Sequence, residues 1–133
     1  MAKVEVKPKP GHKYQLEITA GSHTIIADQP SSKGGSDGGP DPKELLLGAL
    51  GACAAQTILM MAPSKKWDIQ ELTVKVSFTS NGSGGQDTYT EEIEVKGNLT
   101  AKELDGIKKM AERCPVMRAF TGTKTVNASI TKI

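Results

Sequence analysis

A chain of 133 residues suits one domain with its own core and is too short to hold two comfortably. Apolar residues make up 37% and aromatic residues 4%, a lean stock of large side chains that favours completing the core against a second copy. The formal net charge of +2 is too small to argue for nucleic acid or an anionic membrane as partner, and the dispersed lysines read as a solvated surface.

Met1 to Val6 is charged and alternating, unlike an apolar leader. Val4 and Val6, then Tyr14, Leu16 and Ile18, alternate with polar residues on either side of Pro8-Lys9-Pro10-Gly11. That is the pattern of two half-buried strands in a hairpin. Gly21-Ser22 breaks the second strand, and Thr24-Ile25-Ile26-Ala27 reads as a third. Residues 28–40 are dense in Gly, Ser and Pro and read as a loop over the start of the next helix.

Asp41 as N-cap, Pro42 at the first helical position and Glu44 in the first turn open a helix that runs to Met61 and stops before Pro63. Leu45, Leu46, Leu47, Leu50, Ile58, Leu59, Met60 and Met61 leave it almost no polar face, which predicts a helix buried all round. Its apolar stretch of roughly 17 residues is at the edge of a membrane span. The interspersed glycines and alanines and the flanking strand patterns favour a core helix instead. Gly48/Ala52 and Gly51/Ala55 would let another helix approach closely, either the same helix of a second copy or the one near residue 110. The chain thus reads as soluble and cytoplasmic, where thiols rest reduced and a disulfide is transient.

Leu72, Val74, Val76 and Phe78 alternate with polar residues as the clearest strand, and Tyr89, Glu91, Ile93 and Val95 form its antiparallel partner. Asn81-Gly82-Ser83-Gly84-Gly85 between them reads as a mobile turn. Thr100 with Glu103 is a capping box for a helix ending near Arg113. Thr125 to Ile130 is expected to close the chain as a strand.

The chemistry rests on two cysteines. Cys53 lies mid-helix among apolar neighbours, where a thiol is ordinarily inert unless a cation or donor comes from elsewhere. Arg118, Arg113, His12, His23 and several lysines are the candidates. Cys114 precedes Pro115 and could open a short helical turn from Val116 to Phe120, whose backbone donors would modestly favour its thiolate. The spacing of His12, His23, Cys53 and Cys114 has no metal-ligand signature, so no metal is expected. No phosphate-binding loop, dinucleotide fingerprint or nucleophile elbow occurs, and no cofactor is implied.

The run Asp41-Pro42-Lys43-Glu44-Leu45-Leu46-Leu47-Gly48-Ala49-Leu50-Gly51-Ala52-Cys53 resembles the central-helix motif of the osmotically inducible protein C / organic hydroperoxide resistance (OsmC/Ohr) family. Arg113-Cys114-Pro115-Val116 is similar to that family's second motif. With the cysteine separation and element order, the resemblance covers nearly the whole chain. It implies a single α+β domain over residues 1–133, folded as an intertwined homodimer with two mixed-subunit β-sheets around central helices. It also implies a cytoplasmic antioxidant peroxidase of the oxidative stress response. Cys53 would be the peroxidatic thiol and Cys114 the resolving one, with organic hydroperoxide as substrate and an external dithiol as reductant. Leu50, Met60, Val116, Met117 and Phe120 would wall the pocket. Peroxidatic members carry an arginine before the central helix and a glutamate directly after its opening proline. Here Lys43 holds that second position with Glu44 one later, and the arginines are Arg113 and Arg118. Arg118, Glu44 and Lys43 are then the candidates for stabilising the thiolate. Met117 stands where many members have histidine. The pattern resembles an OsmC-like branch and keeps a second reading open, a non-catalytic dimeric stress or small-ligand-binding protein. A third, a thiol–disulfide exchanger acting on proteins, requires both thiols to be accessible.

Overall fold

The computed structural model describes residues 2–82 and 85–133 of the chain, so Ser83 and Gly84 of the expected mobile turn lie outside the described residues. The chain divides into two compact units, Met1–Gly48 and Ala49–Ile133. The architecture is α+β, with two small antiparallel sheets, three α-helices and a short 3-10 turn (Ser31–Lys33) among the described residues.

In the first unit, β1 (Glu5–Pro8), β2 (Leu16–Ala20) and β3 (His23–Ala27) form one antiparallel sheet in that order. Gly21 at φ 61° makes the tight β2–β3 turn, which pairs Ala20 with His23. The alternation of buried and exposed positions expected of both hairpin strands is present in β2 only, since β1 is exposed on both faces. A four-residue edge strand with a single neighbour has no second layer on which to set Val6.

The loop after β3 is organised by Asp28, which is 2% exposed. Its Oδ1 accepts the Gln29 N–H at 2.7 Å, and its Oδ2 accepts the Gly38 N–H at 3.0 Å and the Gln15 side-chain amide at 3.2 Å. The Asp28 N–H donates to the Pro40 carbonyl at 3.1 Å, closing the loop on the residue before the helix cap. A side chain at Gly38 would collide with the Gln15 amide, so the latch requires glycine there.

Helix α1 (Pro42–Lys65) opens with a reciprocal cap: the Glu44 N–H donates to Asp41 Oδ1 at 2.8 Å and the Asp41 N–H to Glu44 Oε1 at 3.0 Å. The helix passes through Pro63 rather than stopping at Met61. Pro63 lies in the final turn, so its missing N–H costs one hydrogen bond, to the Leu59 carbonyl, and breaks nothing downstream. The Ser64 hydroxyl caps the Met61 carbonyl, and Lys66 turns left-handed at φ 57° to end the run. By length and mean hydropathy α1 could cross a bilayer. It is not buried all round: Leu50, Gly51, Ala54 and Ile58 are buried, whereas Leu46, Leu59 and Met60 are exposed.

In the second unit, β4 (Glu71–Thr79) pairs in full register with β5 (Thr88–Lys96), and α2 (Ala101–Ala111) follows. The expected Thr100–Glu103 capping box opens α2, with both hydrogen bonds at 3.1 Å. The core joins Ala54 and Ile58 of α1 to Ile107 and Ala111 of α2, with Leu72, Val74, Ile93, Trp67, Ile69 and Leu99 packed against them. Of the two neighbours considered for α1, the helix near residue 110 is thus one. The small residue Gly51 serves the sheet rather than a helix, because an added Cβ would come within 3.0 Å of Val76. Gly48, by contrast, has nothing within 4 Å.

The expected closing strand is absent. Residues 125–130 pair with no strand among the described residues, and Val126 and Ile130 are fully exposed. The alternating pattern is real, but a strand forms only against an available edge, and this segment meets none within its own chain.

Candidate functional site

Cys53 sits half-buried on α1, directly before the core residue Ala54, and the Thr57 hydroxyl donates to its carbonyl at 2.7 Å. It borders a cavity of about 420 Å³ lined also by Gln56, Thr57, Met60, Met61, Met110, Arg113 and Pro115. The wall is mostly apolar, and Arg113 is its one formal charge.

Cys114 lies where α2 gives way to the single turn α3 (Pro115–Arg118). It is fully buried and is the N-cap of α3, with Pro115 at the first helical position. The Met117 N–H donates to its Sγ at 3.2 Å, the backbone donor that the Cys-Pro sequence led one to expect. Burial nevertheless dominates and pushes the thiol above its ordinary value, and the neighbouring Cys53 and Glu91 push the same way. Folding therefore brings the two cysteines side by side, both as free thiols.

A second cavity of about 420 Å³ lies against the same turn, lined by Leu50, Tyr89, Glu91, Ile93, Lys108, Ala111, Glu112, Met117, Phe120 and Thr121. Tyr89 forms an aromatic ladder, tilted against Phe78 at 5.0 Å and edge-on to Phe120 at 4.7 Å. Glu91 occupies an apolar-facing position on β5, directly across from Val76. Its Oε2 is buried without a hydrogen-bond partner, and burial raises its carboxyl above the usual range.

The single expected pocket is thus divided: Leu50, Met117 and Phe120 line one cavity and Met60 the other, while Val116 is half-buried on α3 and lines neither. Arg118 is exposed at the end of α3, and Arg113 is the arginine beside Cys53. Glu44 is engaged in the α1 cap, Lys43 next to it is exposed, and neither lines the Cys53 cavity. Glu91 was not among the expected site residues. Its signal was a carboxylate in the apolar phase of Tyr89, Ile93 and Val95. No cluster of three or more metal-ligating side chains occurs among the described residues.

The comparisons with known proteins bear on family and fold. The family model described as OsmC-like protein matches residues 34–129, and this chain belongs to that family. Its fold is shared by an OsmC-like protein from Mycoplasma pneumoniae, at 20% identity and a TM-score of 0.75, covering 90% of this chain and 86% of that one. It is shared too by an organic hydroperoxide resistance protein OsmC from Legionella pneumophila, at 23% identity and 0.63, covering 90% of each chain. The organic hydroperoxide resistance protein OhrB of Bacillus subtilis matches at 22% and 0.58, over 92% of this chain and 91% of that one. Among curated proteins, none matches this chain in sequence.

Proposed function

We propose that this chain is a thiol-dependent peroxidase that reduces organic hydroperoxides. The observation that carries the reading is the pairing of a half-buried Cys53, open to an apolar cavity, with a buried Cys114 beside it. The Cys53 thiolate attacks the distal oxygen of the hydroperoxide, the O–O bond breaks, and the alkoxide leaves as the alcohol after taking a proton. Cys53 is left as sulfenic acid. Cys114 condenses with it, releasing water and forming the Cys53–Cys114 disulfide, which an external dithiol reduces. Arg113 is the cation that borders the cavity and can stabilise the charge developing on sulfur and oxygen. Met60, Met61 and Met110 suit an apolar substituent on the peroxide.

The working form on this reading is a cytoplasmic, intertwined homodimer in which residues 1–133 act as one domain. The exposed Leu59 and Met60 on α1 and the unpaired Val126–Ile130 segment support it, being apolar surface that a second copy would cover. A stable monomer near 14 kDa by light scattering at micromolar concentration would count against the dimer.

Counting free thiols by mass spectrometry before and after one equivalent of cumene hydroperoxide tests the chemistry. Wild-type protein should lose both thiols within seconds to an intramolecular disulfide, Cys114→Ser should stop at a trappable sulfenic acid, and Cys53→Ser should consume no peroxide. Two intact thiols after minutes would overturn the peroxidase and favour a ligand-binding protein of the same fold.

A further inference from the structure

A carboxylate on the core-facing side of a strand needs a reason. Glu91 stands in line with Tyr89, Ile93 and Val95, opposite Val76, where every neighbouring position on that face is aromatic or aliphatic. Its Oε2 has lost water and gained no donor. An unsatisfied buried polar atom ordinarily costs about 1–3 kcal/mol, and glutamine or an aliphatic residue would fit the same phase. The cavity onto which Glu91 opens is bounded by Ala111 and Met117, the residues three before and three after Cys114. The carboxylate thus opens on a cavity that lies against the turn holding the thiol, and a negative charge on Glu91 opposes one on Cys114. Among the described residues, the backbone hydrogen bond to the Cys114 sulfur comes from Met117. It can stabilise a thiolate but cannot remove a proton.

We propose that Glu91 is the proton acceptor for Cys114 when the disulfide with Cys53 forms. The proposal rests on the peroxidase reading only for the origin of the sulfenic acid. Glu91 takes the Sγ proton of Cys114 as that sulfur's electron pair forms the S–S bond to Cys53. The S–O bond of the sulfenic acid breaks with its electrons going to oxygen. The oxygen receives the proton from Glu91 and leaves as water. Cys114 sulfur is oxidised, Cys53 sulfur is reduced, and Glu91 returns to its carboxylate, so no net proton is consumed. Burial supports the role, since a carboxyl raised above its usual range is a better match for a thiol that burial holds protonated.

The test separates this step from peroxide chemistry. Ellman's reagent places a thionitrobenzoate mixed disulfide on Cys53 of the full chain, and Cys114 then attacks it and releases a second thionitrobenzoate, followed by its absorbance. That leaving group needs no proton, so only removal of the Cys114 proton is read. Glu91→Gln should slow the second release by roughly 10²-fold, Glu91→Asp should recover part of the rate, and formate should rescue Glu91→Ala. In wild type the release rate should rise with pH as Glu91 ionises and then level. In Glu91→Gln it should climb only with ionisation of the thiol itself. Cys53, Lys108 and Glu112, the other titrating groups facing this turn, are present in both proteins. An unchanged or faster release in Glu91→Gln overturns the proposal, because a carboxylate that merely adds negative charge hinders the thiolate and its removal speeds attack. A wild type that holds the mixed disulfide unresolved, or whose Cys53 takes no label, overturns it too. If cumene hydroperoxide leaves Cys53 intact while Glu91→Gln still slows the release, the peroxidase reading fails and the proton acceptor stands.

Discussion

Asp28 and Glu91 are both carboxylates withdrawn from water, and their surroundings could hardly differ more. Asp28 receives hydrogen bonds on both oxygens, from the backbone of Gln29 and Gly38 and the side chain of Gln15, and the backbone donors hold it below the usual carboxylate range. Glu91 has one oxygen facing an apolar cavity with no donor, and burial lifts it above that range. Both are carboxylates with an oxygen drawn out of water, and the donors set the opposite directions. A satisfied buried carboxylate is a fixed joint of the chain. An unsatisfied one retains the capacity to take a proton, and the fold tolerates its cost beside the turn that holds a thiol.

The sharpest way to break the contrast is to remove the satisfied partner. Asp28→Ala strips the acceptor from two backbone donors and the Gln15 amide, and should release residues 28–40 from their seat against β2 and β3. Hydrogen exchange should show the Gly38 and Gln29 amides losing protection by orders of magnitude, while those of β4 and β5 are unchanged. The pH dependence follows from the sign. A folded-state pKa below the unfolded value of 3.8 gives stability that is present in full above that value. It is lost as pH falls through the depressed folded value. Wild type should therefore open this loop in acid, and the alanine variant should already be open at neutral pH. Protection that survives in Asp28→Ala would mean the glycines and Pro40 hold the loop without the latch.

Glu91→Gln should move the other way, and by less. A raised folded-state pKa means that ionisation at neutral pH works against the fold, and that the penalty is relieved as pH falls toward the carboxyl's own range. Glu91→Gln should thus raise the thermal midpoint at pH 7 by a few degrees at most, since the side chain keeps part of its solvent and its charge is screened. The gain should vanish in acid, where wild type carries a protonated Glu91. A lower midpoint at pH 7 would reveal a donor to Glu91 and remove the physical basis for its role as a proton acceptor.

The sequence made this comparison only half visible. Local rules were enough for what local chemistry controls. The caps at Asp41 and Thr100, the nine-residue β4–β5 ladder and the Cys114-Pro115 turn all follow from side chains that bond within four residues or alternate with period two. Missed features depend on what lies opposite in space. Thr125–Ile130 has the alternation of a strand, but no edge within the chain receives it. α1 is apolar nearly all round, yet the stripe it buries runs through Leu50, Gly51, Ala54 and Ile58. Arg113 and Arg118 could not be ranked from their order in the chain, because only the fold shows that Arg113, before α3, lines the Cys53 cavity while Arg118 ends α3 outside it. Glu91 was written into the strand pattern as an ordinary member of it. The period-two phase separates it from Glu92 and Glu94, which alternate to the exposed side, but only the cavity and the missing donor show what that phase does to its carboxylate.

Glu94 supplies the last and smallest test. Its carboxylate pairs with Lys75 across the β4–β5 ladder at 2.9 Å, and the two side chains remain 59% and 61% exposed. The pair has the partner that Glu91 lacks and the water that Asp28 lacks. Hydrogen bonding and charge from Glu94 raise the Lys75 pKa, but water solvates both groups nearly as well in the unfolded chain. Lys75→Gln should therefore leave the thermal midpoint and the exchange rates of the flanking amides indistinguishable from wild type at physiological salt. A loss rivalling that of Asp28→Ala would mean that partnering alone, without burial, sets the worth of a carboxylate here. An unchanged midpoint would leave loss of solvent as the condition that makes donors decisive at Asp28 and their absence consequential at Glu91.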